Sequence, residues 1–345
     1  MNKVSVVLGA TGQDGALLCK KLLESGETVF GTYRRGGADK FWRLKELGIF
    51  DAISFIETHV EDAASIAELF QKTAPKALYV LAGQSYVADS FLSPDTVFKA
   101  NLHGVLNVLN GLRYFAPECR TFFASSSEIF GATNNDLLLN ERSPTMPQNP
   151  YGISKLAALH LVRNFREAHD LPICSGILFN HESFLRGRQF VTRKITFNLA
   201  RLRMEGGDPM RLGTFDSSRD WSDAEDTINA IVKMNFLSKP QEAVVAAGKL
   251  TSLRSVLLTA ADYCGFSPVF EGVGRSEVLA DSVTGRPLAV LDDKYLRPKD
   301  TAPLAGDSSL LRSITTWSPE HTFDETVRKM CEKDIWRWGK GFIHV

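Results

Sequence analysis

The fold is decided near the start of the chain by the stretch Val4-Ser5-Val6-Val7-Leu8-Gly9-Ala10-Thr11-Gly12-Gln13-Asp14-Gly15. Its apolar beginning, Val4–Leu8, predicts a buried strand, and the residues after the stretch predict a helix over Ala16–Leu23. Glycines between a first strand and a first helix permit a tight turn and let the pyrophosphate of a dinucleotide approach the backbone. The N–H groups at the start of such a helix also favour phosphate. We therefore expect a dinucleotide-binding turn, although three glycines alone can also form an ordinary loop.

Outward from this turn, short apolar runs alternate with amphipathic segments, which is typical of a sheet with helices on both faces. Further strands are predicted at Thr28–Thr32, Ala77–Leu81, Arg120–Ala124, Ile173–Leu178 and Ala243–Ala247. Further helices are predicted at Leu102–Phe115, Leu156–His169, Ala224–Leu237 and Phe323–Trp336. Strands separated by helices of this length require crossover connections. The expected fold class is therefore α/β, a doubly wound parallel sheet of the Rossmann type with a smaller C-terminal lobe.

The regular alternation ends near residue 180, which predicts a division into two parts. Residues 1–180 are expected to form the NADP-binding Rossmann domain, whose sheet is completed by about 220–248. Residues 181–219 and 249–345 are expected to form mainly the lobe that binds the substrate. The basic and loop-rich segments of this second part are Arg186–Lys194, Arg211–Arg219 and Glu271–Ala302.

Composition excludes several classes of protein. Lys and Arg number 40 and Asp and Glu number 40, so the formal net charge is zero, and a global basic field for nucleic acid or an anionic membrane is not expected. The 5 cysteines show no paired spacing, which argues against a zinc site or a disulfide framework, and no metal is expected. Because the N-terminal residues lack a signal-peptide pattern and no run is apolar enough to span a bilayer, we expect a cytoplasmic protein.

Two arginines, Arg34 and Arg35, follow the second predicted strand. Proteins that bind NAD usually have a carboxylate at this place, where it holds the ribose 2′-hydroxyl. Guanidinium groups instead offer paired donors to the 2′-phosphate of NADP. A solvated basic turn is the alternative interpretation, but the position relative to the glycine turn favours NADP over NAD.

Tyr151 and Lys155 lie four residues apart at the start of a helix, so they share one helical face. A cation beside a phenol favours the phenolate, which can remove or return the proton of a sugar hydroxyl while a hydride moves to nicotinamide. A tyrosine and a lysine at this spacing occur by chance in many proteins. Their position downstream of the glycine turn makes them candidate catalytic residues.

Ser126 and Glu128 follow the strand predicted at Arg120–Ala124. The carboxyl end of a strand in an open α/β sheet faces the ligand crevice, so both side chains are expected there. A serine hydroxyl can bond a sugar oxygen. A carboxylate supplies the additional base that is needed to remove a carbon-bound proton. A helix cap or a solvated acid is the alternative role for Glu128.

Together these motifs resemble those of the GDP-mannose 4,6-dehydratases, a family of extended short-chain dehydrogenases, and the resemblance covers nearly the whole chain. The glycine spacing at 9, 12 and 15 is the variant that short-chain dehydrogenases use. The segments that are more specific to the family are Gly176–Ser183, Phe190–Lys194, Arg219–Trp221 and Tyr295–Pro298.

The resemblance implies roles for individual residues. The implied catalytic residues are Ser126, Glu128, Tyr151 and Lys155. The implied cofactor-binding residues are Gly9, Ala10, Thr11, Gly12, Gln13, Asp14, Gly15, Arg34, Arg35, Leu81, Ala82, Gln84, Ser85, Tyr151, Lys155, His181 and Arg186. The implied substrate-binding residues are Ser85, Asn180, Val191, Lys194, Arg219, Arg297 and Asp300.

The resemblance also implies a reaction and a cofactor. Tyr151 would deprotonate the C4 hydroxyl of a GDP-hexose as hydride passes from C4 to NADP, and Glu128 would remove the C5 proton as water leaves from C6. Return of the hydride to C6 would give a GDP-4-keto-6-deoxyhexose with no net redox change. A homodimer or homotetramer is implied, with Arg34–Arg43 as a candidate contact.

Several residues depart from the family pattern near the expected ligands. They are Ser126 for threonine, His59 for an aspartate at the adenine, Phe184 for proline, Asn149 for serine and Thr214 for asparagine. Because of these changes, the sequence does not determine which sugar the substrate carries. A second class of enzyme is therefore an alternative, an NADP-dependent reductase or epimerase of a related nucleotide sugar. A third alternative is a regulator that binds NADP without catalysis.

Overall fold

The computed structural model describes residues 3–36, 40–131, 138–296 and 303–342 of the chain. The strands are β1 Val4–Leu8, β2 Thr28–Tyr33, β3 Ser54–Glu57, β4 Ala77–Val80, β5 Arg120–Ser126, β6 Ile173–Leu178, β7 Asn180–Glu182, β8 Met210–Leu212, β9 Ser218–Asp223, β10 Glu242–Val245, β11 Leu250–Ser252, β12 Pro268–Glu271, β13 Val278–Asp281 and β14 Pro287–Leu291. The α-helices are α1 Gln13–Glu24, α2 Trp42–Glu46, α3 Ala63–Thr73, α4 Val87–Leu92, α5 Pro94–Phe98, α6 Gly104–Phe115, α7 Pro150–His169, α8 Val191–Met204, α9 Ala224–Asn235, α10 Leu253–Tyr263, α11 Ser309–Ile314 and α12 Phe323–Gly339.

The first of two compact units consists of residues 1–179, 224–246 and 306–318. Its described residues form a seven-stranded parallel sheet in the order β10-β6-β5-β4-β1-β2-β3. Strands β4 and β6 are buried along their whole length, as expected where helices cover both faces of a sheet. Since the chain leaves β1 toward β2 on one side and reaches β4 on the other, the strand order reverses beside β1. A crevice opens at the carboxyl ends of the strands at such a point.

The predicted doubly wound sheet is confirmed, and most predicted elements lie within a few residues of the observed ones. Helix α7 begins at Pro150, so Tyr151 and Lys155 lie in its first two turns, as their spacing predicted. Its first turn carries few apolar residues and is fixed instead by the cap Asn149, whose side chain accepts from the amide of Gly152. Likewise α6 is preceded by a π-helical turn at Lys99–His103, which helical periodicity alone does not distinguish from an α-helix.

The second unit consists of residues 180–223, 247–305 and 319–345. Its described residues form a three-stranded sheet, β11-β9-β7, and a four-stranded sheet, β12-β13-β14-β8. The core gathers apolar side chains of α8, α10 and α12 with Trp221, which stacks on Phe323 at 5.4 Å between ring centroids. The polar segment Arg186–Lys194 runs into α8, and the loop-rich segment Glu271–Ala302 contains the antiparallel pair β13 and β14.

The assignment of cofactor binding to one part of the chain and substrate binding to the other stays a prediction. Among the described residues, no helix has the length and apolar character needed to cross a bilayer. All five cysteines are buried and free of disulfide bonds, so they pack as small apolar side chains.

Candidate functional site

The glycine turn joins β1 to α1, and each of its three glycines has a different reason to lack a side chain. Gly9 has a positive φ of 91°, and a Cβ on Gly15 would lie 2.7 Å from the Cα of Ala10 and still closer to the carbonyl of Gly9. Gly12 has an ordinary φ of −74°, and its Cβ would meet only the Gly9 carbonyl at 3.4 Å. Packing therefore requires glycine at 9 and 15. At 12 the missing side chain instead leaves an exposed stretch of backbone at the start of α1.

Cationic side chains gather at the carboxyl end of β2. Arg34 and Arg35 are both exposed there. Lys40 donates to the carbonyl of Arg34, and Arg43 donates to the carbonyl of Thr11 at 3.0 Å. Arg43 thus connects the start of α2 with the glycine turn. Sequence reasoning named it only as the end of a candidate contact region and gave it no role at the turn.

The segment Leu81–Ser85 follows β4 at the same edge of the sheet. The amide of Ala82 lies 2.9 Å from where a Cβ on Gly9 would be, so this segment packs directly against the glycine turn. Asn101, in the π-helical turn, accepts from the Gln84 amide at 2.8 Å and donates to the Gln84 carbonyl at 3.1 Å. Asn101 also donates to Ser154 at 3.1 Å. Sequence reasoning missed this buried asparagine, which comes directly before the helix predicted at Leu102–Phe115.

Tyr151 and Lys155 are both buried on α7. The ammonium of Lys155 donates to the carbonyl of Ala124 at 2.9 Å and lies 6.0 Å from the centre of the Tyr151 ring. Burial lowers the pKa of Lys155 to about 8, although the negative charge of Asp14 opposes that change. Tyr151 and Lys155 therefore lie close together, as predicted, and the Lys155 ammonium is hydrogen-bonded to the carbonyl of Ala124 in β5.

Ser126 is the last residue of β5, and its hydroxyl caps the short turn Ser127–Ile129 by accepting from the Glu128 amide at 3.3 Å. The carboxylate of Glu128 is half-buried and accepts from the side-chain amide of Asn149 at 2.7 Å. A Cβ on Gly152 would lie 2.5 Å from the Glu128 carbonyl, so the first turn of α7 rests on this backbone. The four predicted catalytic residues thus lie at the carboxyl end of β5 and at the N-terminal end of α7, and these two ends are in contact.

In the second unit, β7 and the start of α8 carry further predicted site residues. His181 is buried on β7, and the neighbouring Glu182 accepts from Thr192 at 2.7 Å and pairs with Arg186 at 3.1 Å. The guanidinium of Arg186 also lies 3.6 Å from the centre of the Phe190 ring. Arg186 is therefore held in place by a carboxylate and an aromatic face together.

The residues predicted to bind the substrate have varied surroundings. Lys194 donates to the carbonyl of Arg211 at 2.6 Å and lies 3.8 Å from the centre of the Tyr295 ring, and desolvation lowers its pKa against the opposing charge of Asp292. Lys194 is half-buried, as are Asn180, Val191 and Arg219, whereas Ser85 of the first unit is exposed. Arg297 and Asp300 lie outside the described residues.

A buried charged cluster supports this part of the second unit and was missed from the sequence. Asp334 of α12 accepts from the Nε of Arg193 at 2.9 Å, from Arg337 at 2.8 Å and from Thr196 at 2.8 Å. All three charged side chains are fully buried. Arg193 and Arg337 also donate to the carbonyl of Phe184, at 3.1 and 2.7 Å, so α12 fixes the loop that precedes α8.

The parallel sheet and its glycine turn are those of the extended short-chain dehydrogenases. The UDP-glucose 4-epimerase of Thermotoga maritima has a TM-score of 0.81 at 18% identity, with 98% of this chain and 99% of that chain covered. RMD from Pseudomonas aeruginosa, solved with NADPH, has a TM-score of 0.77 at 21% identity, covering 97% and 100%. At these identities the likeness extends to the fold alone.

Sequence comparison gives the family. The family model described as GDP-mannose 4,6 dehydratase matches residues 6–330. A GDP-mannose 4,6-dehydratase of Sinorhizobium fredii is 34% identical over 340 residues, which cover 96% of this chain and 97% of that protein. The chain belongs to the GDP-mannose 4,6-dehydratase family, and the resemblance inferred from its motifs is confirmed.

Proposed function

We propose that the protein is a nucleotide-sugar 4,6-dehydratase that converts GDP-mannose, or a closely related GDP-hexose, to its 4-keto-6-deoxy derivative with NADP as a catalytic cofactor. Membership of the family supports this reaction, since the Sinorhizobium fredii relative carries that name. The observation that carries the proposal is the grouping of Glu128 with Ser126, Tyr151 and Lys155 at the carboxyl end of β5. A reductase or epimerase needs the serine, the tyrosine and the lysine, whereas removal of a carbon-bound proton also needs a base.

The glycine turn fits a nicotinamide dinucleotide. The bare backbone at Gly12 and the N-terminus of α1 suit a pyrophosphate, because N–H groups and the positive end of a helix dipole favour negative charge. Arg34 and Arg35, with Lys40 and Arg43 close to the same turn, favour a 2′-phosphate and therefore NADP over NAD. When bound, the nicotinamide would accept a hydride from C4 of the sugar and return it to C6.

The proton transfers are assigned to side chains of the chain itself. Tyr151 takes the proton of the C4 hydroxyl, and the buried Lys155 ammonium favours the phenolate that does so. The keto group formed at C4 acidifies C5. Glu128 takes the C5 proton and passes it to the hydroxyl that leaves C6 as water, and the proton held by Tyr151 is available to return to C5. Ser126 can still donate its hydroxyl hydrogen to the C4 oxygen while it accepts from the Glu128 amide.

The nucleotide part of the substrate is assigned to basic and polar groups of the second unit, together with Ser85 of the first. Lys194 and Arg219 supply positive charge for the diphosphate, and Asn180, Val191, Arg297 and Asp300 are assigned to the substrate from the family pattern. His181 and Arg186 are assigned to the cofactor. We also propose a cytoplasmic homodimer or homotetramer, which gel filtration with light scattering would test.

The proposed function is tested by incubating the purified protein with GDP-mannose and substoichiometric NADP. The expected product has lost one water, carries a keto group at C4 and a methyl group at C6 by NMR, and forms without accumulation of NADPH. A product of unchanged mass would instead identify an epimerase, and stoichiometric consumption of NADPH with a 4-keto sugar would identify a reductase. Either result would refute the proposed reaction.

A further inference from the structure

The side chain of Asn149 makes two bonds that fix it in one orientation. Its carbonyl oxygen accepts from the Gly152 amide at 2.8 Å and so caps α7. Its amide nitrogen donates to the Oε2 of Glu128 at 2.7 Å. Because the helix amide requires an acceptor, the oxygen must face Gly152 and the NH₂ group must face Glu128. The residue is buried, so neither bond is shared freely with solvent.

Capping alone does not account for the choice of asparagine. Serine and aspartate cap helices about as well, and serine is the residue expected here from the family pattern. The asparagine amide differs from serine in placing its acceptor and its donor on two separate atoms, so that Oδ1 reaches the Gly152 amide while Nδ2 reaches the Glu128 carboxylate. The contact with Glu128 is therefore a separate property of Asn149, beyond its contribution to α7.

The backbone around the Asn149–Glu128 hydrogen bond is also tightly packed. Gly152 approaches the Glu128 carbonyl so closely that a Cβ would lie 2.5 Å from it, and Ser126 caps the turn that carries Glu128. The position of the Glu128 backbone is thus fixed by β5 and α7. The remaining freedom is the rotation of its carboxylate, and the Asn149 amide restrains one of the two oxygens.

We propose that Asn149 is a positioning residue for the Glu128 carboxylate, holding one oxygen so that the other is presented to the C5 proton of the substrate. This inference rests on the dehydratase function proposed above. Asn149 touches no reacting atom in this scheme and acts only through Glu128.

Asn149→Asp is the most informative substitution because it keeps the shape and the cap. The aspartate keeps the acceptor that caps α7, so any fall in melting temperature should come from its charge beside Glu128 and should disappear as the pH is lowered. Its second oxygen would face the Oε2 of Glu128, and two carboxylates at hydrogen-bond distance share a proton. The nearby groups Tyr151, Lys155 and Asp14 are unchanged, so the acid limb of the pH–rate profile should move to higher pH.

Asn149→Ser should also keep the cap, but its single hydroxyl oxygen is one bond nearer the backbone than the Asn149 Nδ2 and should no longer reach Glu128 while it caps the helix. The readout is exchange of the C5 proton with deuterated solvent during turnover of GDP-mannose, measured beside kcat, KM and thermal unfolding. We expect a loss of about ten- to a hundredfold in kcat and in exchange, the factor for one hydrogen bond to a charged group, with little change in KM. Asn140→Asp is the matched control, because the Asn140 side chain accepts from the amide of Arg142 and its substitution should leave all values unchanged.

Unchanged exchange and an unchanged pH profile in both Asn149 variants would overturn the proposal. So would a loss of activity accompanied by an equal loss of folded protein, since the role would then be structural. Failure of the wild-type protein to exchange C5 or to form the keto product would instead refute the dehydratase function itself.

Discussion

Replacement of Asp334 by asparagine should destabilise the second unit strongly. The carboxylate of Asp334 lies between the buried guanidinium groups of Arg193 and Arg337 and also accepts from Thr196. Asparagine keeps the volume but removes the negative charge and replaces one acceptor with a donor. Two fully buried cations would then share a site without the charge of residue 334. Removal of one partner from a buried ion pair typically costs about 3–5 kcal/mol of unfolding free energy.

That cost is a large fraction of the stability of an ordinary domain, which is about 5–15 kcal/mol. With a shift of about 2–4 °C per kcal/mol for a unit of this general size, the melting temperature should fall by roughly 6–20 °C. Differential scanning calorimetry of the wild type and the variant would measure it. Because the chain has two compact units, the transition that moves should be assigned with the near-ultraviolet signal of Trp221, Trp336 and Trp338.

Asp262→Asn provides a matched control with the same chemical change on the same unit. Asp262 pairs with Arg328 of α12 at 3.6 Å, but the two side chains are 63% and 48% exposed. An exposed pair contributes about 0–1 kcal/mol, so the melting temperature of this control should move by no more than a few degrees. Equal shifts for Asp262→Asn and Asp334→Asn would refute the view that the buried cluster holds this part of the fold together.

Three further substitutions test the site of the first unit. Gly12→Ala should leave the melting temperature nearly unchanged but weaken NADP binding, whereas Gly15→Ala should destabilise the fold, because only the Cβ at 15 would clash with the backbone of Gly9 and Ala10. Calorimetry and fluorescence titration would separate the two effects, and equal stability losses would contradict the distinction. Arg34→Ala combined with Arg35→Ala should weaken NADP at least tenfold more than NAD in the same titration, and an equal loss would contradict the 2′-phosphate assignment. Lys155→Met should abolish turnover yet raise stability at pH 7, on the order of 2 kcal/mol after the lost bond to Ala124 is deducted. Because the folded pKa of Lys155 is about 8 and lies below its unfolded value, that gain should be complete below pH 8 and vanish as the pH rises toward 10.5, and a gain independent of pH would contradict it.

Local sequence patterns were sufficient for the fold of the first unit. Strand β1 was predicted to the residue, because an apolar run between the charged Lys3 and Gly9 leaves little choice of boundaries. The helical spacing of Tyr151 and Lys155 likewise placed both side chains on one face of α7. Each of these inferences depends on residues that are close together in the chain.

The contacts that set the geometry of the site join residues far apart in sequence, and no local pattern contains them. Asn149 bonds to Glu128 across 21 residues, and Arg193 bonds to Asp334 across 141 residues. The sequence marked Asn149 only as a departure from the family pattern. The structure adds that its amide faces the carboxylate proposed to be the base.

The role of Glu128 as that base is tested most directly by Glu128→Gln in deuterated solvent. The variant should bind NADP and GDP-mannose, reduce one equivalent of NADP as C4 is oxidised, and then stop, with no deuterium at C5 and no 4-keto-6-deoxy product. Glutamine has nearly the same shape as glutamate but cannot accept a proton at neutral pH. Deuterium incorporation and product formation at the wild-type rate would contradict the account.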